Sequence, residues 1–340
     1  MAHGIEDVAR AAGVSTATVS RALRGLPNVT ETTRARVRQV AAELGYVASP
    51  SAASLASGRT RTIGLLTPWV SRWFFANVIE GAERTLRASD MDALLYTFEV
   101  TRGPRRRVDP AVLRRRVDGV VVVGLPMTGD EVADLAALGK PLIFIGAGPP
   151  DQITVRIDDD ATARAATQHL IGLGHRHIAH VTGDRDDTMG WAPVVDRLRG
   201  WRGAMADAGL AIPAGFEVRG DFDVARGRVA ARRLLEEHPE VTAVFAASDE
   251  MAMGVILAAG ELGLRVPQDL SVIGVDGHDL GELVGLTTMA QDAPAQGVAA
   301  ASMMLELIAG GAPVPAGAIF PTRLVERRTT GPVRSGSPRG

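Results

Sequence analysis

A group of short polar and basic side chains lies between residues 15 and 24. Thr16, Ala17, Ser20, Arg21 and Arg24 recur at a spacing that places them on one side of a helix. Small side chains let a helix approach base edges in the major groove of DNA, and arginine guanidinium groups bind guanine edges or phosphates. These residue types and their spacing therefore predict a DNA-binding surface.

Two short helices joined by a tight turn must position this surface. Ile5, Val8, Ala9 and Ala12 fall at i, i+3, i+4 and i+7, so they form one apolar stripe on the first helix. That helix is expected to end at Gly13, because a positive φ costs glycine little. The pattern is typical of a helix-turn-helix unit.

Capping residues predict where the next two helices begin. Ser15 can cap the second helix by accepting a hydrogen bond from the N–H of Ala17 or Thr18. Thr30 can cap a third helix, which is expected over residues 31–44. Three helices make a head of about the smallest size that buries a core without staples.

The charge distribution separates this head from the rest of the chain. Residues 1–60 contain seven arginines and four acidic residues, whereas the whole chain has a formal charge of −2. The head therefore carries about +3 and the remainder about −5, an asymmetry expected when only the head meets phosphate. The alternative is a helical hairpin that only packs, since this geometry also occurs in proteins that never bind DNA.

Composition excludes several classes of protein. The chain has 340 residues, which are too many for one ordinary core, so a small head and a larger two-lobed body are expected. Cysteine is absent, which excludes disulfides and Cys-ligated metals. No signal-peptide-like segment follows Met1, and no apolar run approaches about 18 residues. We expect a cytoplasmic protein that does not enter membranes.

The body alternates strand-length apolar runs with helices, which is typical of parallel, doubly wound α/β sheets. The strands are too many for one sheet, so two lobes are predicted. The predicted segments are a helix-turn-helix head at 1–46, a hinge helix and linker at 47–61, the body at 62–332 and a disordered tail at 333–340. The lobes are predicted at about 62–157 with 290–320, and at about 158–289 with 321–332.

Ligands of such folds bind beyond the carboxyl ends of the strands, so residues that follow strand ends are the candidates for a binding site. The predicted strands are Ile63–Thr67, Ala93–Thr97, Gly119–Val123, Leu142–Ile145, Thr154–Ile157, His177–Thr182, Ala243–Ala246 and Ser271–Val275.

An enzyme is the first alternative function. Asp158-Asp159-Asp160 and Asp186-Asp187 could suggest acid/base chemistry, but adjacent acids on a loop are usually solvated or capping residues. His175, His177 and His180 straddle a helix end and a strand, which does not favour a metal site. Neither a phosphate-binding loop nor a nucleophile elbow occurs. We predict no catalytic residues, no metal and no cofactor.

A series of short motifs runs through the head and the body in a fixed order. In the head the motifs are Asp7-Val8-Ala9, Ala12-Gly13-Val14-Ser15, Thr18-Val19-Ser20-Arg21, Val29-Thr30, Val37 and Leu44-Gly45-Tyr46. In the body they include Ile63-Gly64-Leu65, Leu173-Gly174-His175-Arg176-His177, Ala247-Ser248-Asp249 and Val272-Ile273-Gly274-Val275-Asp276. Together they resemble the LacI/GalR family of bacterial transcription repressors, essentially over residues 5–330.

The resemblance implies a repressor that binds a palindromic operator in double-stranded DNA as a homodimer or a tetramer. The second helix of each head would lie in a major groove, and Leu55 in the hinge would insert between base steps. The alternative for Leu55 is an exposed residue in a flexible linker. The hinge departs from the family pattern, with Ala48-Ser49 in place of Pro-Asn. The predicted DNA-binding residues are Ser15, Thr16, Ala17, Ser20, Arg21, Arg24, Asn28, Thr30 and Leu55.

The resemblance also implies a body like the type I periplasmic sugar-binding proteins, with a small-molecule effector, a sugar, between the lobes. Arg197 would donate paired hydrogen bonds, and aromatic rings would pack on the C–H faces of the sugar. For at least one of Phe74 and Phe75 the alternative is helix packing. Gly146-Ala147-Gly148 replaces an acid and an arginine that many members have. The predicted effector-binding residues are Phe74, Phe75, Trp191, Arg197, Phe222, Ser248, Asp276 and Gln291.

Effector binding would change the angle between the lobes and the spacing of the hinge segments, and thereby the affinity for the operator. Both induction and co-repression are compatible with this mechanism. One alternative is a cytoplasmic sugar- or nucleoside-binding protein without operator specificity. Another is a receptor for transported sugars, which the basic head and the lack of a signal peptide disfavour.

Overall fold

A computed structural model describes residues 3–23, 25, 27–46, 59–98, 107–183, 192–310 and 315–333. Contacts divide the chain into two compact units, Met1–Thr62 with Arg115–Asp118 and Ile63–Arg114 with Gly119–Gly340. Several predictions fall outside the described residues: the hinge helix with Leu55, the contacts of Arg24 and Trp191, and the tail from 334 onwards.

The head consists of three helices, α1 (Ile5–Ala12), α2 (Thr16–Leu23) and α3 (Glu31–Glu43). Gly13 follows α1 with φ at 64°, as predicted for a glycine in the left-handed region. The Ser15 hydroxyl accepts from the Thr18 N–H at 3.2 Å, and the Thr30 hydroxyl accepts from the Thr33 N–H at 3.3 Å. Both predicted caps are confirmed.

One side of each helix supplies the core of the head. Val8 on α1, Val19 and Ala22 on α2, and Val37 on α3 are fully buried against one another. These positions recur at helical spacing, so the opposite side of α2 carries its polar side chains outward. The core therefore determines which residues of α2 remain available to a partner.

The first lobe of the body is built on a six-stranded sheet with the order β11-β5-β4-β3-β1-β2. Every strand pairing that the described residues define in this sheet is parallel. The strands are β1 (Thr62–Thr67), β2 (Asp92–Thr97), β3 (Gly119–Val123), β4 (Leu142–Ile145), β5 (Ile153–Ile157) and β11 (Gly317–Phe320). The helices are α4 (Trp73–Ala88), α5 (Pro110–Leu113), α6 (Gly129–Ala136) and α12 (Ala293–Ala309).

The second lobe has a sheet with the order β12-β10-β9-β8-β6-β7, in which β12 is antiparallel to β10. The strands are β6 (Ile178–Thr182), β7 (Glu217–Arg219), β8 (Ala243–Ala246), β9 (Ser271–Asp276), β10 (Thr287–Ala290) and β12 (Arg323–Val325). The helices are α7 (Asp159–Gly172), α8 (Ala192–Asp207), α9 (Val224–Glu237), α10 (Asp249–Glu261) and α11 (Gly281–Val284). The predicted fold class, a helical head and a two-lobed body with parallel sheets, is confirmed.

The chain passes between the lobes three times, after β5, after β10 and after β11. After the second crossing, α12 packs closely on α4. A Cβ added at Gly297 of α12 would lie 2.1 Å from the carbonyl oxygen of Val78 on α4, so a side chain there would push the helices apart. This contact holds the start of α12, which faces the other lobe.

The buried His175 joins several elements of the second lobe. Nδ1 of His175 lies 2.9 Å from the Thr242 hydroxyl, and its Nε2 lies 2.9 Å from the Ser271 hydroxyl. Val333, which was predicted to belong to the tail, donates its N–H to the Leu173 carbonyl oxygen.

The described residues contain no cluster of acids and histidines that could hold a metal. Within the same residues, no helix is long and apolar enough to cross a membrane.

Candidate functional site

The exposed side of α2 is the candidate DNA-binding surface. Thr16, Ala17 and Arg21 are exposed, and Ser20 is half-buried at the edge of the same side. Because Val19 anchors the helix in the core of the head, these side chains stand on a rigid element. A rigid helix with small residues at its start and an arginine further along fits the geometry of major-groove recognition.

The other predicted DNA-binding residues of the head have local structural roles. The hydroxyls of Ser15 and Thr30 are used as helix caps, although both residues are exposed. Asn28 is exposed and adopts φ of 68°, a left-handed conformation that asparagine tolerates better than most residues. Their contacts with DNA stay a prediction, and a turn or a cap explains each of them without DNA.

A cavity of about 60 Å³ lies between the two lobes, at the carboxyl ends of the strands. It has room for a few water molecules only, so it is too small for a larger ligand in this arrangement of the lobes. Six of the predicted effector residues line it: Phe74, Phe75, Arg197, Phe222, Asp276 and Gln291. Phe75 is also 95% buried in the core of the first lobe, so it both packs and lines the cavity.

Arg197 on α8 is the cation of this cavity, and only 5% of it is exposed. Its Nε donates to Asp159 Oδ1 at 2.7 Å, and its Nη1 donates to the Ala247 carbonyl oxygen. Burial opposes the charge, but Asp159 and then Asp276 outweigh it and raise the pKa of the Arg197 guanidinium. Arg197 is therefore a permanent cation, already paired within the protein.

Asp159 corrects one inference from the sequence. The run Asp158-Asp159-Asp160 was expected to be solvated or capping, and Asp158 indeed caps α7 by accepting from the Ala161 N–H at 3.0 Å. Asp159, however, is 97% buried and pairs with Arg197. The sequence did contain one indication of this ion pair, because an arginine that faces inward needs a carboxylate or a ligand to pair with.

A row of three polar side chains crosses the cavity from the second lobe to the first. Gln291 Nε2 donates to Asp276 Oδ1 at 2.7 Å, and Gln296 Nε2 donates to Gln291 Oε1 at 2.8 Å. Burial raises the pKa of Asp276 to about 8, against the lowering effect of Arg197 and with help from Asp249. Burial thus disfavours the charged form of the Asp276 carboxyl, while Arg197 favours it.

The backbone at Asp276 is unusual, with φ at 131°, a region that side chains rarely adopt. Asp249 holds the loop that follows: its Oδ2 accepts from the N–H groups of Gly277 and His278 at 2.9 and 2.7 Å. Strained backbone held by surrounding bonds is common where a protein contacts its ligand. This geometry directs attention to Asp276 as a ligand contact.

Ser248 has a different position from the other predicted effector residues. It is buried, and its hydroxyl accepts from the Met251 N–H at 3.2 Å, which caps α10. It is not among the residues that line the cavity. A direct contact of Ser248 with an effector stays a prediction, whereas its capping role accounts for the serine.

The rim of the cavity carries contacts that join the lobes, and the sequence did not reveal them. Arg72 Nη1 donates to Glu250 Oε2 at 3.3 Å, and the Trp73 N–H donates to Glu250 Oε1 at 3.2 Å. The Trp73 ring stacks on His278 with centroids 5.5 Å apart. Opening of the cavity on this side would break these bonds.

Comparison with known proteins agrees with this arrangement. Residues 4–49 match the family of bacterial regulatory proteins called the lacI family, and residues 167–330 match the periplasmic binding protein-like domain. Catabolite control protein A of Priestia megaterium is 34% identical over 305 residues, 88% of this chain and 90% of that protein. The chain belongs to the LacI family.

Other LacI-family proteins align over the same length. The ribose operon repressor of Escherichia coli is 34% identical over 312 residues, 89% of this chain and 92% of that protein. A crystal structure of the lac repressor dimer bound to operator and an anti-inducer has a TM-score of 0.84 at 26% identity, covering 97% and 100% of the two chains. A CelR–cellobiose complex has a TM-score of 0.71 at 30% identity, covering 96% and 99%.

Among these relatives, the ribose operon repressor and the operator-bound lac repressor are transcriptional repressors, which are not enzymes. The predicted family and the prediction of no enzymatic activity are confirmed on that basis. The individual site residues stay predictions, because likeness over whole chains does not test single contacts.

Proposed function

We propose that this chain acts in the cytoplasm as a repressor, which binds a palindromic operator as a homodimer and is switched by a sugar between the lobes of its body. The observation that carries the proposal is the exposed side of α2. Thr16, Ala17 and Arg21 lie on this side, while Val19 and Ala22 on the opposite side pack in the core of the head. The paired polar side chains of the interlobe cavity support the effector site.

The switch is a shift between two arrangements of the lobes. The rim bonds of Arg72 and Trp73 to Glu250 form only when the lobes are close together on that side. A ligand too large for the cavity favours the open arrangement, by as much as its affinities for the two arrangements differ. The changed angle between lobes would then alter the spacing of the hinge segments and the affinity for the operator.

Arg21 provides the test of operator reading. Arg21→Ala is expected to weaken binding to the preferred duplex about 10- to 100-fold, because a base contact contributes about 1–3 kcal/mol, and to weaken binding to random duplex far less. The preferred duplex would be selected from a random DNA pool with the full chain. Dissociation constants for both duplexes would then be measured at one salt concentration.

The matched control is Arg38→Ala, which removes the same charge from an exposed position of α3. It is expected to change the affinities for both duplexes by similar factors. Equal losses on both duplexes for Arg21→Ala would show that Arg21 contacts phosphate only, and selection of no preferred duplex would contradict operator recognition altogether.

Exposed apolar residues on the second lobe support the homodimer. Leu257 on α10 is 52% exposed, and Leu280 and Leu283, on or next to α11, which contacts α10, are 51% and 76% exposed. Exposed apolar side chains that form one patch are typical of an interface between proteins. The lac repressor structure that this chain resembles is a dimer.

Leu283→Asp is expected to raise the dimer dissociation constant at least tenfold, because a twofold interface would bury the introduced carboxylate twice. Sedimentation equilibrium over a range of concentrations would measure it. Ile319→Asp makes a comparable change at an exposed position of the other sheet's edge strand and should leave the dimer intact. If the dimer dissociation constant of Leu283→Asp were no higher than that of Ile319→Asp, the interface would lie elsewhere.

A further inference from the structure

Gln296 is a polar residue near the start of the largely apolar helix α12, and it was not among the predicted effector residues. It is 99% buried and lines the interlobe cavity. Its Oε1 is buried and has no hydrogen-bond partner among the described residues. A buried acceptor without a donor is unfavourable, so this oxygen needs an explanation.

The orientation of the Gln296 amide follows from its neighbours. Its Nε2 donates to Gln291 Oε1 at 2.8 Å, and Gln291 Nε2 donates in turn to Asp276 Oδ1 at 2.7 Å. Each amide nitrogen is thus used on a fixed acceptor within the protein. What remains at the end of the row is the Gln296 Oε1 atom, a buried hydrogen-bond acceptor on a residue that lines the cavity.

The charges of the cavity restrict what can approach this acceptor. Arg197 is the one cation among the described residues that line the cavity, and Asp159 already pairs with it at 2.7 Å. Asp276 and Asp249 also interact electrostatically with the same guanidinium. An anionic group would therefore enter beside several carboxyls without a free positive charge to meet it, at a large desolvation cost.

The aromatic side chains define the remaining surface. Phe74 of the first lobe and Phe222 of the second are half-buried and line the cavity. Their rings offer apolar area that suits the C–H faces of a sugar ring, while the polar row supplies directed hydrogen bonds.

We propose that Gln296 determines specificity in the cleft: its Oε1 accepts a hydrogen bond from a hydroxyl of an uncharged polyhydroxy ligand, and the cleft takes this ligand in preference to phosphorylated or carboxylate derivatives. This inference rests on the proposed effector site. It adds the chemical class of the effector and a residue that selects it.

The test compares matched neutral and anionic sugars by calorimetric titration of the full chain. The neutral probes are D-ribose, D-glucose and cellobiose, and their partners are D-ribose 5-phosphate, D-glucose 6-phosphate and cellobionate. At least one neutral sugar is expected to bind, and its anionic partner is expected to bind at least tenfold more weakly. This comparison needs no variant of the protein. An anionic partner that binds as tightly as its parent would overturn the charge argument.

Gln296→Leu is expected to weaken binding of that neutral sugar about tenfold or more, whereas Gln168→Leu, at an exposed position of α7, should leave it unchanged. Monodeoxy derivatives of the sugar supply a readout that a purely structural role would not change. The deoxy position that costs the wild-type chain affinity should cost Gln296→Leu almost none.

Undiminished binding by Gln296→Leu, or the same deoxy penalty in both proteins, would overturn the role of Gln296. Binding of none of the six probes would overturn the proposed ligand class. A neutral sugar that binds without regard to charge or to Gln296→Leu overturns this inference alone, whereas binding of none of the probes also removes the sugar effector of the proposed function. Operator recognition is tested separately by the Arg21 experiment.

Discussion

Replacing Arg197 with alanine is expected to lower the free energy of unfolding by about 3–5 kcal/mol and to abolish the response to effector. Arg197 is 5% exposed and bonded to Asp159 and the Ala247 carbonyl oxygen, so the substitution leaves a buried carboxylate unpaired. Chemical denaturation measures the first effect. Operator binding with and without effector measures the second, and the affinity of the folded variant for operator DNA should change little.

The chain contains a matched control two residues further along the same helix. Arg199 is paired with Asp160 at 2.6 Å, but 59% of its side chain is exposed, so Arg199→Ala should cost less than about 1 kcal/mol. In Arg197→Ala, a further change of Asp159 to alanine should restore part of the lost stability, because it removes the unpaired charge. A loss in Arg197→Ala no larger than in Arg199→Ala would contradict the buried pair.

Acidification is expected to destabilise the body through His180. Its ring is fully buried between Trp201 and Phe245, and its Nδ1–H donates to the Phe245 carbonyl oxygen at 2.9 Å. Burial lowers the pKa of His180 from 6.5 to about 4. As the pH falls, His180 is protonated near pH 6.5 in the unfolded chain and only near pH 4 in the folded chain. The contribution of neutral His180 to the free energy of unfolding is therefore fully present above pH 6.5 and falls by up to about 3 kcal/mol as the pH drops to about 4.

The buried carboxyls Asp249 and Asp276 act with the opposite sign, since burial raises their pKa values to about 6 and about 8. Denaturation curves at several pH values must therefore be compared between variants. His180→Gln keeps an N–H donor but does not titrate, so its stability should fall less steeply between pH 6.5 and 4. The same change at the exposed His177 serves as the control. Parallel curves for wild type and His180→Gln would refute the role of His180.

Local patterns were sufficient to predict the head. Its three helices, the glycine at position 13 and the caps at Ser15 and Thr30 all occur as expected. Each depends on residues within four positions along the chain, which is the range over which helices and caps form. The contacts of these residues with DNA remain predictions, because they depend on a partner molecule.

Strands of the body were predictable where they are buried on both faces. β3 and β8 were predicted with their observed bounds, since continuous runs of Val, Ile, Phe and Ala are characteristic of central parallel strands. Four strands were missed: Glu217–Arg219, Thr287–Ala290, Gly317–Phe320 and Arg323–Val325. These are only three or four residues long, and all but Thr287–Ala290 lie at sheet edges, so pairing with distant strands decides them.

The sequence by itself determined the family, the helical head, the alternation of strands and helices, and half of the residues that line the cleft, because these follow from local patterns and ordered motifs. Only the tertiary structure decided which partners meet. Asp159 and Arg197 are 38 positions apart, and Gln296 shares the cavity with Arg197 across two lobes. These contacts are buried, and the cost of an unpaired polar group depends on its removal from water. Burial therefore explains the Asp159–Arg197 ion pair, the shifted pKa values and the unpartnered Oε1 atom of Gln296.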